Sequence, residues 1–453
     1  MHRPARIRAQ IIILFPSLVF LAVSGLLADD WPQWRGKNRE GVWHEDGILD
    51  RFPAGGPEVK WRVPIGSGYS GPSVADGRIF VMDWTKTEGT RAMEGTERLH
   101  CFDEETGKTL WTQEWPAAYG SLMASYALGP RATPTVDGDL VYALGSVGDL
   151  VAAKVANGEV VWRRDFVEEY GASVPIWGTT SAPLVDGDLL ITVAGAESDG
   201  KVIAYDKRTG KERWRAISSN WEMGYEQPMI VEAGGVRQLI IWEPKAVFSL
   251  NPTNGEIYWS QEWDVRMGMS VATAVTDGRQ LLFTQFYKGS LMMELDAHAP
   301  KAKPVWMGEG KSEQPDQTQG LHSLITTPIL DGDTIYGVCS YGELRGLDAT
   351  TGTRLWETGE MTRQSRWGAA FMVKNGDRWF VNNDQGDLII ARFTREGYRE
   401  IDRVKLLEAN SNAAVAATRM NAAGVNWSHP AYANRHIVAR NDSELIRVSL
   451  EAE

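Results

Sequence analysis

The stretch DEETGKTLW, residues 103–111, decides the fold because the chain repeats it at regular intervals. Each copy joins a Thr-Gly or similar turn to a strand that carries a tryptophan. Five further copies are KVANGEVVW ending at Trp162, DKRTGKERW at Trp214, NPTNGEIYW at Trp259, the looser DAHAPKAKPVW at Trp306, and DATTGTRLW at Trp356. From Trp61 onward the repeat tryptophans stand 45 to 52 residues apart. This period is typical of a β-propeller blade and is too long for a leucine-rich or β-helix coil.

A second repeated phrase precedes the first one and predicts a tight hairpin. In its clearest form an aliphatic residue precedes an Asp-Gly pair, which favours the positive φ angles of a two-residue turn. Eight copies begin at Pro72, Pro134, Pro183, Pro228, Ala274, Pro328, Phe371 and Pro430. A third strand follows each hairpin, and the Thr-Gly turn then leads into the fourth. Each unit is therefore predicted to be a four-stranded antiparallel meander.

The two ends of the chain predict how the ring closes. The eighth unit has three strands, whereas PEVKWRVP, residues 57–64, is a fourth strand with no partners before it. We therefore predict an all-β fold, an eight-bladed β-propeller of residues 57–453 whose N-terminal strand completes the last blade. Such closure leaves no long unpaired sheet edge. The repeated glycines supply turns, and the repeated tryptophans are expected to pack between neighbouring blades.

Residues 1–28 are predicted to be a secretory signal peptide. Three arginines lie among the first eight residues, residues 11–27 carry no charge, and small residues precede Asp29. The alternative is an uncleaved membrane anchor, since the apolar run is close to the ~17-residue minimum for a bilayer span. No cysteine follows the run, so no bacterial lipoprotein anchor is expected. The protein is predicted to be exported, to the periplasm or the medium, with no transmembrane segment after cleavage.

Composition narrows the range of partners. The formal net charge of −12 argues against nucleic acid as a partner, because nucleic-acid binding needs a basic surface.

Cys101 and Cys339 belong to different repeats and are predicted to be buried thiols, with a disulfide as the alternative. The seven histidines occur singly, without HExxH or paired-cysteine spacing, so no metal site is expected. We expect a monomer.

The hairpin and Thr-Gly-to-Trp phrases, over the whole chain after about residue 57, resemble the pyrroloquinoline-quinone-repeat (PQQ-repeat) superfamily of β-propellers. That superfamily includes periplasmic quinoprotein dehydrogenases and the non-enzymatic BamB-type outer-membrane assembly lipoproteins. The segment DWPQWRGKNREGVWHEDG, residues 30–47, resembles the N-terminal signature of exported quinone-repeat proteins of planctomycete-type bacteria. The resemblance implies the fold more strongly than the function, because one fold carries many functions.

Two functions follow from this resemblance. The first is a binding or scaffold module whose funnel-face loops hold a protein, a glycan or a small molecule, with no cofactor. The alternative is a quinoprotein dehydrogenase that oxidises alcohols or sugars with PQQ and calcium in the central funnel. Against the alternative, the chain lacks adjacent cysteines, a calcium-ligand constellation that can be placed by motif, and a CxxCH haem attachment.

The candidate ligand-binding residues lie in loops that join the fourth strand of one blade to the first strand of the next. Such loops meet at one mouth of a propeller, and binding residues favour loops on rigid scaffolds. We predict two arginines that bind a carboxylate, phosphate or quinone oxygen, three tryptophans that stack on a planar ring or sugar, and two histidines that exchange hydrogen bonds near neutral pH. In that order they are Arg131, Arg366, Trp177, Trp367, Trp427, His322 and His429. The alternative for each is that it caps a loop or pairs with a neighbouring backbone carbonyl.

Residues 29–56 precede the closing strand and are predicted to form a strap across one face of the disc. Trp31 and Trp34 would bury aromatic surface against the blades. Arg35 is expected to be structural, with ligand binding as the alternative.

Overall fold

A computed structural model describes residues 29–123, 128–196, 199–411 and 424–452. The predicted signal peptide, residues 1–28, lies outside this part of the chain. Within it, no helix combines the length and the apolar character that crossing a bilayer requires.

The described residues form eight four-stranded antiparallel sheets, as the sequence predicts. In chain order the strands are β1 (Val59–Pro64), β2 (Ser73–Ala75), β3 (Arg78–Lys86), β4 (Glu94–Asp103), β5 (Thr109–Ala118), β6 (Thr135–Asp137), β7 (Leu140–Leu144), β8 (Asp149–Lys154), β9 (Val160–Asp165), β10 (Leu184–Asp186), β11 (Leu189–Val193), β12 (Val202–Asp206), β13 (Glu212–Ala216), β14 (Met229–Ala233), β15 (Val236–Trp242) and β16 (Ala246–Leu250). The second half of the chain adds β17 (Ile257–Glu262), β18 (Val275–Thr276), β19 (Gln280–Gln285), β20 (Gly289–Leu295), β21 (Ala302–Met307), β22 (Ile329–Asp331), β23 (Thr334–Val338), β24 (Leu344–Asp348), β25 (Arg354–Thr358), β26 (Ala370–Asn375), β27 (Arg378–Asn383), β28 (Asp387–Thr394), β29 (Gly397–Lys405), β30 (Ala431–Ala433), β31 (His436–Arg440) and β32 (Glu444–Ser449).

Each blade takes four strands in sequence, and the last blade takes its fourth strand from the start of the chain. Blades 1 to 7 contain β2–β5, β6–β9, β10–β13, β14–β17, β18–β21, β22–β25 and β26–β29. Blade 8 has the order β1-β32-β31-β30. The short helix α1 (Phe166–Tyr170) and two 3₁₀ turns, Arg266–Gly268 and Pro315–Gln317, complete the regular structure of the described residues.

Pairing of β1 with β32 closes the ring. The two strands are antiparallel, with Trp61 opposite Arg447 and Val63 opposite Leu445. The pairing joins the first strand of the propeller to the last and confirms the predicted closure. It also covers the outer edge of β32, so that blade 8 has four strands and β1 is its outer strand.

Tryptophans of the fourth strands bind the next blade. The Trp111 indole of blade 1 donates from Nε1 to the Val155 carbonyl of blade 2 at 3.0 Å. Its ring lies over Gly158, where an added Cβ would stand 2.6 Å from Trp111 Cε3. We call this contact the tryptophan latch. The same donation and the same glycine recur at Trp61 with Gly107, Trp162 with Gly210, Trp214 with Gly255, and Trp306 with Gly352.

The latch explains why the opening phrase is repeated. A glycine is required because its φ is positive, +76° at Gly158, and because the indole leaves no room for a side chain. The looser copy lacks this glycine, and the structure departs from the pattern there. Trp259 of blade 4 donates to Gln238 Oε1 of its own blade at 2.9 Å instead. Blades 4 and 5 are therefore joined without the latch.

Both cysteines are buried, unpaired thiols, as predicted. Cys101 lies in β4 of blade 1, whereas Cys339 follows β23 of blade 6. Burial raises the pKa of Cys101 to about 12 and that of Cys339 to about 11. Both thiols therefore stay protonated and unreactive near neutral pH.

The predicted strap crosses the central channel and contacts the inner parts of several blades. Trp31 pairs with Val74 of β2 through two backbone hydrogen bonds, and Trp43 donates from its backbone to Lys374 of β26. Both tryptophans are buried. Arg35 is also buried, and its guanidinium donates to the Glu40 carbonyl at 2.7 Å within the strap. This contact is the structural role expected for Arg35.

Arg39 fixes the middle of the strap. Its guanidinium donates to the carbonyls of Pro183 and Pro228, which precede the first strands of blades 3 and 4. The carboxylate of Glu226 lies nearby and is buried. Its Oε1 accepts from the Trp242 amide at 2.8 Å, while its Oε2 has no hydrogen-bond partner among the described residues. Burial is the main reason that the pKa of Glu226 rises to about 8.

The latch predicts a large difference between two glycines of blade 2. Gly158→Ala is expected to lower the free energy of unfolding by about 2–4 kcal/mol, because the new Cβ adds overlap with Trp111 to the strain of a positive φ. Gly138 has a similar φ of +58° but open space around it, so Gly138→Ala should cost about 1 kcal/mol. Urea denaturation of both variants measures the difference. Equal losses would contradict the latch.

Glu226 predicts a pH dependence of stability. Since its pKa rises from 4.5 to about 8 on folding, the folded state holds a proton that the unfolded state has released. The resulting stabilisation is full below pH 4.5 and is lost as pH rises through about 8. Between about pH 5 and pH 8, the free energy of unfolding should therefore fall by about 2–4 kcal/mol more for wild type than for Glu226→Gln.

Urea denaturation of wild type and variant at both pH values tests this expectation. The matched control is Glu232→Gln, which changes a carboxylate of the same blade whose side chain is 81% exposed. The control should keep the wild-type pH dependence. A Glu226→Gln variant that also keeps it would show that Glu226 is ionised in the folded protein.

Candidate functional site

A cavity of about 380 Å³ opens at one mouth of the central channel. Every loop that joins one blade to the next contributes to its wall. The lining residues are Trp34, Tyr69, Arg131, Trp177, Thr180, Tyr225, Gln227, Met267, Met269, Val271, Phe286, Tyr287, Leu324, Ile325, Arg366, Trp367, Phe371 and Trp427. The candidate loops of the sequence analysis therefore meet at this cavity.

The antiparallel meander explains which segments reach this mouth. Successive strands reverse direction, so the turn between the second and third strands lies at the same end as the loops between blades. Phe286 and Tyr287 belong to that turn in blade 5, between β19 and β20, and both line the cavity. The sequence analysis considered only the inter-blade loops and missed these two residues. The alternation of strand direction could have predicted them, because it brings the turn between the second and third strands to this mouth.

The strap forms the floor of the cavity. The Trp34 indole donates to Thr273 Oγ1 at 3.1 Å, just before β18. The Trp34 ring centroid lies 4.8 Å from that of His429. The sequence predicts that Trp34 packs against the blades, and the structure adds that its ring also faces the cavity.

Two arginines line the wall, and they differ in their partners. The Arg366 guanidinium binds Glu313 at 2.9 Å and lies 4.7 Å from the centroid of the Trp367 ring. Arg131 Cζ lies 5.4 Å from the Tyr69 ring centroid. No described residue accepts a hydrogen bond from the Arg131 side chain. Desolvation lowers the pKa of Arg131, so an anion placed beside it would relieve an unfavourable burial of charge.

The predicted tryptophans all face the cavity, beside tyrosines that the sequence analysis did not single out. The ring centroids of Trp177 and Tyr225 are 5.5 Å apart, and those of Trp427 and Tyr69 are 6.1 Å apart. The Trp427 indole N–H is buried and has no acceptor among the described residues.

Two large side chains are held in the wall by left-handed backbone. Trp367 has φ 66° and Met267 has φ 60°, values at which a residue with a side chain costs of order 1–3 kcal/mol. The Trp367 amide donates to the Ser340 carbonyl at 2.7 Å, which holds the turn in place. Strain of this kind is concentrated at binding sites, and here it directs an indole and a thioether to the cavity.

The two predicted histidines lie behind the wall and not on its surface. His322 and His429 are buried and are absent from the residues that line the cavity. Their Nδ1 atoms lie 3.1 Å from the Phe286 carbonyl and 2.6 Å from the Pro430 carbonyl, so each Nδ1 carries the donated hydrogen. Desolvation lowers the pKa of His322 to about 4 and that of His429 to about 3. Both rings are therefore neutral near pH 7. The sequence predicted that they contact a ligand, whereas the structure shows that they support the wall from behind.

The cavity does not present the donors that calcium prefers. Calcium takes six to eight oxygen ligands, chiefly carboxylates and carbonyls. None of the described residues that line the cavity is Asp or Glu. In the described part of the chain, no three His, Cys, Asp or Glu side chains are grouped so as to hold a metal ion. The described lining residues therefore do not fit the calcium of the alternative function. They fit an apolar body with one anionic group.

Curated relatives share part of the chain. Outer membrane protein assembly factor BamB of Kangiella koreensis is 32% identical over 117 residues, which cover 26% of this chain and 26% of that relative. BamB of Shewanella oneidensis is 24% identical, with coverage of 68% and 72%. Quinohemoprotein alcohol dehydrogenase ADH IIB of Pseudomonas putida is 27% identical, with coverage of 32% and 23%.

Solved structures share the fold at low identity. BamB from Moraxella catarrhalis superposes with a TM-score of 0.56 and 12% identity, over 87% of this chain and 99% of that one. A europium-containing methanol dehydrogenase superposes with a TM-score of 0.61 and 12% identity, over 93% of this chain and 89% of that one. These similarities concern architecture alone.

A family model described as outer membrane protein assembly factor BamB matches residues 53–197, 95–344 and 198–451. Together these matches span the eight blades that the structure describes. The relatives carry both assembly-factor and quinoprotein names. The chain therefore belongs to the PQQ-repeat β-propeller family, with BamB-like relatives.

Proposed function

We propose that this protein is an exported binding module, in which the propeller is the scaffold and the funnel-face cavity holds the ligand. The ligand would present an apolar or aromatic body and a single anionic group. The observation that carries this proposal is the half-buried Arg131, which has no ion-pair partner among the described residues and stands in an aromatic wall free of carboxylates.

Arg131 supplies the specificity for an anion. Its planar guanidinium donates in a fork that matches a carboxylate, a sulfonate or a phosphate. Charge-assisted hydrogen bonds are stronger in a site of low dielectric, and the neighbouring Tyr69 and Tyr225 keep such a site around Arg131. An anionic oxygen beside Arg131 would give its guanidinium a partner that no described residue provides.

The rest of the wall accommodates the apolar body. A volume of about 380 Å³ lies near the lower end of the range for ligand pockets. Trp177 and Trp367 offer flat faces for a ring, and Leu324 with Ile325 offers aliphatic surface. A single aromatic group or a long side chain of a partner fills a space of this size.

Binding is favoured over catalysis by the protonation states around the cavity. The titratable groups among the described lining residues are Arg131, Arg366 and three tyrosines. The pKa of Tyr69 and that of Tyr225 rise further because both rings are buried. General acid or base catalysis needs a group whose pKa lies near the working pH, and burial moves the pKa of Tyr69 and that of Tyr225 away from this range. The nearby His322 and His429 are neutral and covered.

The partner proposed for this module is a protein, a glycan or a small molecule outside the cytoplasm, bound by a monomer. Relatives named outer membrane protein assembly factor BamB support a periplasmic setting and an assembly or scaffold role. The predicted signal peptide agrees with export. The proposal involves no nucleic acid and no resident cofactor.

The cavity predicts binding of 8-anilinonaphthalene-1-sulfonate, an aromatic monoanion that fluoresces in apolar sites. Wild type should bind it with one saturable site, and Arg131→Gln should weaken binding by about tenfold or more, because one charge-assisted contact is lost. Fluorescence titration measures both affinities. The control is Arg208→Gln, an exposed arginine that pairs with Asp139 elsewhere on the blades, and it should bind like wild type.

Two outcomes would contradict the proposed function. One is an Arg131→Gln variant that binds the probe as tightly as wild type. The other is calcium-dependent binding of PQQ with reduction of an artificial dye in the presence of an alcohol or aldose, measured on the same preparations. The second result would assign the protein to the quinoprotein dehydrogenases.

A further inference from the structure

A second depression lies beside the cavity on the same face, between blades 4 and 5. We call it the rim groove. It encloses about 730 Å³ and is lined by Asn220, Trp221, Glu222, Pro244, Lys245, Asp264, Val265, Arg266, Met267, Gly268, Gln285, Tyr287, Lys288, Gly310 and Lys311. Met267 and Tyr287 also line the cavity, so the two spaces share a wall.

The rim groove is basic, unlike the protein as a whole. Four cationic side chains line it, against two carboxylates, in a chain of net charge −12. Lys288 pairs with Asp264. The other three cations, Lys245, Arg266 and Lys311, form no salt bridge with any described residue. The groove therefore attracts a negatively charged partner locally, while the remaining surface repels one.

Large apolar side chains are exposed between these cations. Trp221 is 49% exposed, and Met267 is 59% exposed on its left-handed turn. Lys245 Nζ lies 4.0 Å from the Trp221 ring centroid, and Arg266 Cζ lies 4.7 Å from that of Tyr287. Trp, Tyr, Met and Arg are the residues enriched in protein interfaces, where exposed apolar area is rimmed by charge. The groove combines both kinds of contact over a short distance.

We propose that the rim groove binds an extended acidic segment of a partner polypeptide that also carries apolar side chains. Carboxylates of the segment would pair with Lys245, Arg266 and Lys311, and its apolar side chains would cover Trp221 and Met267. The inference rests on the proposed function in one respect only, namely that this face is the binding face. The residues involved, apart from the shared Met267 and Tyr287, are distinct from those of the cavity.

A polypeptide fits the groove better than other anionic partners. A nucleic acid carries a charge on every phosphate, and most of these would lie over the acidic surface beyond the groove. An anionic membrane is flat, whereas the cations here line a depression. A peptide concentrates a few carboxylates and apolar groups within about 3.3 Å per residue of extended chain. Such a peptide can therefore present carboxylates to the cations of the groove and apolar side chains to its exposed apolar groups.

The test uses a fluorescein-labelled peptide of about ten residues, an extended reach of about 33 Å, that alternates Glu with Leu and Phe. Wild type should bind this peptide in a fluorescence-anisotropy titration at low salt, and binding should weaken as salt is raised. The charge-reversed variant Lys245→Glu/Lys311→Glu should bind the peptide with an affinity at least about tenfold lower than that of wild type. Trp221→Ala should also bind more weakly, with its salt dependence unchanged, since it removes apolar contact and no charge.

Controls separate the groove from general charge effects. Lys108→Glu changes an exposed lysine in the turn between β4 and β5, at the opposite end of the strands, and should bind the peptide like wild type. A twin peptide with Lys in place of Glu should not bind. Equal binding by the charge-reversed variant, or equally tight binding of a single-stranded oligonucleotide of the same charge, would overturn the inference.

The two proposals fail separately. The charge-reversed variant should still bind 8-anilinonaphthalene-1-sulfonate in the cavity, which also shows that it is folded. If it binds that probe and binds the peptide like wild type, the rim groove is not the peptide site, while the cavity proposal stands. If the Arg131→Gln variant binds the probe unchanged while the charge-reversed variant loses the peptide, the cavity proposal fails and the groove stands.

Discussion

The antiparallel pairing of β1 with β32 holds the ring, because it joins the start of the propeller to its end. Without this pairing blade 8 would lack its outer strand, and the latch that Trp61 makes with the Glu104 carbonyl of blade 1 would be lost. The loops at the mouth are anchored at both ends on neighbouring blades. Their convergence on one cavity therefore depends on closure of the ring. The contacts of Trp34, a strap residue that lies at the channel, depend on closure as well.

The tryptophan latch and the strap stabilise different parts of the disc. The latch joins the outer strands of neighbouring blades, whereas the strap joins their inner ends through contacts such as those of Arg39 with Pro183 and Pro228. A rigid frame of this kind can tolerate strained turns such as those at Met267 and Trp367. The cavity and the rim groove share the first of these turns. The binding face is therefore the region where the frame holds side chains that the local backbone would not favour.

Much of the fold was predictable because its cause is local and repeated. The spacing of Gly107, Trp111 and their counterparts encodes both the turn and the contact with the next blade, so blade number and closure followed from the sequence. The site was less predictable because side-chain direction in loops has no period. His322 and His429 lie in the expected loops but point into the wall.

Long-range contacts at the site left no sequence signal either. Arg366 is paired with Glu313, which lies 53 residues away, so a spacing rule could not separate it from Arg131. The most direct test of the whole account is hydrogen exchange, followed by mass spectrometry, of the β1 amides. We predict that β1 exchanges as slowly as β9, the outer strand of blade 2, since each of these strands pairs with one neighbouring strand. Exchange of β1 at the rate of an unstructured segment would contradict ring closure, and with it the shared cavity.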